Sequence, residues 1–116
     1  MSRVDYNREV EFGFSYKTVF DAVMEAAHEM SGISLSSANE KNGSFVLETG
    51  ARLLSLGEKI SIHLTQLTPK RTKMEILSSL GVNEIFERDK DFAINRKNVI
   101  KVIDNMSKVL SQKLKS

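Results

Sequence analysis

The sequence predicts an α+β domain of element order β-α-β-β-β-β-α, one antiparallel sheet with two helices packed on one of its faces. Three observations carry this. Apolar residues alternate with polar ones at period two near the start and through the middle of the chain, they recur at helical spacing in two other stretches, and turn residues punctuate the boundaries. With 116 residues, 41% hydrophobic and 28% charged, residues 1–116 are expected to form a single domain with one core and a radius of gyration of about 13 Å.

Each element follows from its residues. Val4, Tyr6, Val10, Phe12 and Phe14 fall on one side of the opening stretch, with Arg8 the exception, and Arg3, Asp5, Asn7, Glu9 and Glu11 on the other; this is a half-buried strand. Ser15 is a good N-cap for a helix whose stripe is Tyr16, Val19, Phe20, Val23, Met24, Ala27 and Met30, with Phe14 and Val19 as a hydrophobic staple. Ser31-Gly32 should end it, because glycine tolerates the left-handed cap conformation.

A meander of four strands comes next. Residues 33–38 alternate weakly, and Asn42-Gly43 supplies the two-residue turn that suits the twist of paired antiparallel strands. Residues 44–49 follow with Phe45 and Leu47 on one face. The connection 50–57 contains Leu53, Leu54 and Leu56, more leucine than a solvated turn needs. Residues 59–67 alternate cleanly, Ile60, Ile62 and Leu64 against Lys59, Ser61, His63 and Thr65. Past the turn around Pro69, residues 72–80 form the last strand, with Met74, Ile76 and Leu80 on its better apolar face. A polar stretch, 81–91, leads to a strongly amphipathic helix. Phe92, Val99, Val102, Ile103, Met106, Val109 and Leu110 lie on one arc of it, opposite Lys97, Lys101, Asp104, Lys108 and Lys115. Asn95 is the favoured N-cap, with Ile94 and Val99 as the staple; the alternative is a start at Asp91, which would turn the Asn95 amide inward to orient a ligand.

Composition excludes several classes of function. No apolar run approaches the ~20 residues of a membrane helix, and the N-terminal residues lack the apolar core of a signal peptide. A cytoplasmic location is the expectation. Zero cysteines remove disulfides, zinc-thiolate sites and thiol catalysis. The net charge of +2 conceals an asymmetry: residues 1–68 stand at −3 and residues 69–116 at +5. Arg96, Lys97, Lys101, Lys108, Lys113 and Lys115 face only Asp104. Such a segment suits a solvated helix face, an acidic partner or phosphates. Nucleic-acid binding is not favoured, because 7% aromatics and no tryptophan make a weak stacking platform and leave only salt-sensitive, non-specific contact.

No constellation of residues carries a reaction. His28 and His63 lie on different elements without a ligand-spacing motif, and Asp21, Glu25 and Glu29 read as a solvated acidic stripe. No serine sits in a nucleophile elbow, and no glycine pattern cradles phosphates. The expectation is a protein that is not an enzyme and needs neither cofactor nor metal.

The element order resembles the TATA-binding-protein-like or helix-grip architecture, shared by START-like lipid-transfer domains and pollen-allergen-like ligand carriers. The stretches Phe14-Ser15-Tyr16-Lys17-Thr18-Val19-Phe20-Asp21-Ala22, Asn42-Gly43-Ser44-Phe45-Val46, Gly57-Glu58-Lys59-Ile60 and Asn95-Arg96-Lys97-Asn98-Val99-Ile100 are similar to a small bacterial domain family that brings no established activity with it. Larger helix-grip proteins have more strands, so the resemblance implies a modest interior here. It also implies that Phe12, Phe45, Ile62, Met74, Val99, Ile103 and Met106, with Asn95, line any apolar ligand site between sheet and final helix. The competing expectation is that these side chains fill the core densely and leave no pocket. A second function class is association, as a homo-oligomer or a protein-interaction module, through Leu53, Leu54 and Leu56, an open sheet edge, or the cations Lys97, Lys101 and Lys108.

Overall fold

In the computed structural model, which describes residues 6–49, 58–80 and 88–115, five strands and two helices follow in the expected order. They are β1 (Tyr6–Phe12), α1 (Tyr16–Glu29), β2 (Ile33–Asn39), β3 (Ser44–Thr49), β4 (Glu58–Thr68), β5 (Arg71–Leu80) and α2 (Arg88–Lys115). The sheet is antiparallel throughout, in spatial order β1-β5-β4-β3-β2. The meander therefore runs as a continuous set of hairpins, and β1 closes on its last strand. β1 and β2 are left as the two edges.

Both helices cover one face. Cross-strand register puts Tyr6, Val10 and Phe12 of β1, Thr72, Met74, Ile76 and Ser78 of β5, Glu58, Ile60, Ile62 and Leu64 of β4, and Phe45 and Leu47 of β3 on that face. Val19, Phe20, Val23, Ala26 and Ala27 of α1 and Val99, Val102, Met106, Val109 and Leu110 of α2 meet them in a single buried cluster. Ile103, at the margin of the α2 stripe, packs against it partly buried.

The first helix forms as its residues dictate. Ser15 has extended backbone and its Oγ accepts from Thr18 N at 3.3 Å, while Val19 N donates to Ser15 O at 3.0 Å. At the other end Gly32 takes φ +80°, as a helix-terminating glycine should. The weak alternation of β2 has a physical cause: the register shifts between Leu35 and Ser37, so Ser36 is an extra residue. That bulge brings Leu35 and Ala38, three positions apart, onto the face shared with Leu47 and Phe45.

Three expectations need correction. The β2–β3 connection is four residues long, 40–43, not a two-residue Asn42-Gly43 turn. Such a turn requires positive φ at both central positions, and only Gly43 has it, at +71°. Hydrogen bonds from Gly43 N to Asn39 O (2.9 Å) and from Asn42 N to Asn39 Oδ1 (3.2 Å) close the longer loop instead. Secondly, α2 begins at Arg88, so Asn95 lies about two turns inside it and is not its N-cap. Thirdly, the radius of gyration is 14.5 Å because α2, 28 residues and about 42 Å long, stretches the molecule to 44 Å. No helix among the described residues is long and apolar enough to cross a membrane.

Candidate functional site

Seven of the apolar site residues converge on the helix-covered face. Phe12, Phe45, Ile62, Met74, Val99 and Met106 are buried, and Ile103 is half-buried beside them. Phe45 extends the cluster to α1, its ring centroid 4.7 Å from that of Phe20. The eighth, Asn95, has its backbone in α2 while its side chain lies outside the described residues, as do Leu53, Leu54 and Leu56.

This interior has a polar end, which the alternation pattern did not reveal. Glu58 opens β4 on the inner face, two residues before Ile60, and is only 4% exposed. Its Oε1 accepts from Thr49 Oγ1 at 2.8 Å and from Asn98 Nδ2 at 3.3 Å. Asn98 Nδ2 also faces the Oγ of fully buried Ser78 at 3.4 Å. Thr49 Oγ1 in turn accepts from Glu58 N at 2.7 Å. The β3–β4 ladder ends at Glu48 and Lys59, so the threonine hydroxyl takes up the N–H that the next carbonyl would have met. Tyr6, paired with Ser78 across β1 and β5, flanks the group on the inner face. The opposite end of the same face is closed differently: Thr72 Oγ1 donates to Phe14 O at 2.9 Å, which ties β5 to the β1–α1 connection.

The sequence carried a signal for this polar end. Thr49 continues the phase of Phe45 and Leu47, Glu58 that of Ile60, and Ser78 that of Met74 and Ile76, so each is a polar residue in an apolar register.

The described cations of α2 divide into two groups. Lys101 Nζ donates to Ser31 O at 3.0 Å, just past the C-terminal end of α1, where a positive charge meets the negative end of that helix dipole. Lys113 Nζ lies 3.8 Å from Glu25 Oε1. The acidic first half and the basic last helix thus meet in part within one chain. Arg96, Lys97 and Lys108 are exposed.

On the helix-free face, β1, β5, β4 and β3 form a groove of about 560 Å³, largely open to solvent and lined by Asn7, Glu9, Ser61, His63, Glu75 and Leu77 among others. His63 Nδ1 stands 3.7 Å from Glu75 Oε1, both side chains half exposed. Open surface of this kind encloses little of a small ligand. Among the described residues no three His, Asp or Glu side chains gather as a metal site would require.

No protein-family model matches the chain, and no curated protein is similar to it in sequence. Solved structures define its architecture. It superposes on Ara h 8.0201 with a TM-score of 0.60 at 10% identity, over 92% of this chain and 97% of that one. It also superposes on an aromatase/cyclase from Streptomyces sp. R1128, with a TM-score of 0.62 at 6% identity over 90% and 92%. A START superfamily protein from Mycobacterium smegmatis gives 0.57 at 10% identity over 96% and 97%. The chain has the helix-grip fold of START-like and pollen-allergen-like proteins.

Proposed function

We propose that this chain is a non-catalytic binding domain that holds a small apolar molecule between its sheet and α2. The observation that supports it best is convergence: Phe12, Phe45, Ile62, Met74, Val99 and Met106, drawn from five elements, bury their side chains on the one face that the two helices grip. Met74 and Met106 suit such a site, since an unbranched thioether adapts to differently shaped guests. The START-like and pollen-allergen-like likeness supports the same reading. Native mass spectrometry of gently purified protein, with its denaturing mass beside it, is the test. A small-molecule adduct retained on the monomer upholds the proposal; adduct-free protein that also leaves a neutral fluorescent probe unbound defeats it.

A second reading is favoured by the sheet order, which among the described residues leaves β1 and β2 as the edge strands. Edge strands can pair between copies, and a homo-oligomerising or protein-interaction module would use them. A dimer without adduct in the same native spectrum would select this reading.

A further inference from the structure

We infer that the interior site is polarised and that its ligand carries a hydrogen-bond donor, a hydroxyl or an ammonium, at the end that reaches Glu58; the inference rests on the binding reading above. Donors and acceptors are unequal at this end. The single hydroxyl proton of Thr49 is committed to Glu58 Oε1, and the amide nitrogen of Asn98 faces Glu58 Oε1 and Ser78 Oγ. A carboxylate only accepts, so this amide orientation is the one chemistry allows. Among the described residues, what remains open is Glu58 Oε2 and Asn98 Oδ1, and both are acceptors.

Charge points the same way. No ion pair joins Glu58 to a described lysine, arginine or histidine, although the residue is almost fully buried. A buried carboxylate held by neutral groups gains from any further donor, and most from a cationic one. An anionic head would set a like charge beside it. Toward the other end of the same face the surroundings are apolar, with Phe45, Phe20 and Leu64 buried. The ligand therefore lies with its donor head at the Thr49–Glu58 junction and its apolar body along α2 toward the phenylalanines. The same geometry disfavours an ionised fatty acid, whose head would bring a second negative charge to Glu58.

Three probes of equal chain length separate the heads: dodecanol, dodecylamine and dodecanoate, each below its micelle concentration. Each is titrated against the neutral fluorophore N-phenyl-1-naphthylamine bound to the full chain, in the wild type and in Glu58→Gln. The wild type should bind the alcohol and the amine at least about tenfold more tightly than the carboxylate, a ratio typical of a charge-assisted hydrogen bond. Glu58→Gln should reduce the amine-to-carboxylate ratio to about twofold or less. Equal binding of all three by the wild type overturns the inference and leaves the binding reading standing, and this outcome does not depend on the variant folding. An unchanged ratio in a folded Glu58→Gln also overturns it. Failure of the fluorophore and all three probes to bind overturns the binding reading itself.

Discussion

Thr49 and Glu58 clasp each other where β3 and β4 part: the threonine hydroxyl donates to Glu58 Oε1 at 2.8 Å and accepts from the Glu58 backbone N–H at 2.7 Å. One hydroxyl thus ends the ladder and holds the buried carboxylate. Thr49→Val keeps the side-chain shape and deletes both bonds, leaving a buried N–H and a less solvated carboxylate. The expected loss is about 1–3 kcal/mol of unfolding free energy. Thr49→Ser retains both bonds and should lose less than about 1 kcal/mol. Urea titration with an unchanged m-value measures the difference; equal stability of the valine and serine variants would refute the clasp.

Two glycines with positive φ should respond unequally to alanine. Gly32 has open space where a Cβ would go, so Gly32→Ala meets only the left-handed backbone cost of about 1–2 kcal/mol. At Gly43 the new Cβ would stand 2.7 Å from Leu64 O, which is backbone, while Gly43 O already accepts from Leu64 N at 2.8 Å. The loop is thus held against β4 and has no easy direction in which to yield. Gly43→Ala should lose at least about 1 kcal/mol more than Gly32→Ala, because a steric clash adds to the same conformational cost. Thermal melts of the two variants side by side decide the order.

The strands and α1 were legible because their information is local. Ile60, Ile62 and Leu64 alternate within five residues, and Ser15 caps a helix whose stripe starts at its first turn. The polar end of the site was hidden for the opposite reason. The hydrogen bonds that build it span 9, 20 and 40 residues in sequence, and each member looks like a lapse in an apolar pattern until strand pairing brings it to the others. The start of α2 escaped for a different reason. Arg88-Asp89-Lys90-Asp91 has no apolar periodicity, and Asn95 is a stronger capping signal than its neighbours. The edge pairing of β1 with β5 joins the two ends of the sheet sequence, and no short-range pattern encodes that choice.

Asn95→Ala distinguishes a cap from a helix interior. Loss of an N-cap costs about 1 kcal/mol, whereas alanine in place of asparagine inside a helix gains several tenths of a kcal/mol from propensity alone. Because α2 starts seven residues earlier, at Arg88, the substitution should leave stability unchanged or slightly raised. A drop of about 1 kcal/mol in chemical denaturation would restore the cap.

Alkaline stability should depend on Tyr16. Its hydroxyl donates to Glu40 O in the β2–β3 loop, and burial, followed by the nearby Glu40 carboxylate, raises its pKa above the ordinary 10.0. The folded state therefore holds this proton more tightly than the unfolded chain does. Its contribution to stability is fully present below about pH 10 and is lost as pH climbs through the raised folded value. Tyr16→Phe removes both the hydrogen bond and the titration. At pH 7 to 9 it should be less stable than the wild type by about 1 kcal/mol, the net worth of one hydrogen bond. Above about pH 10 that gap should close, because only the wild type loses this term. Lys17, whose pKa is also raised, chiefly by its hydrogen bond to Glu40, weakens both proteins alike at high pH and cancels in the comparison. Urea titrations of both proteins at half-unit steps from pH 8 to pH 11 read the gap directly, and a difference constant across that range would show that Tyr16 titrates as it does in the unfolded chain.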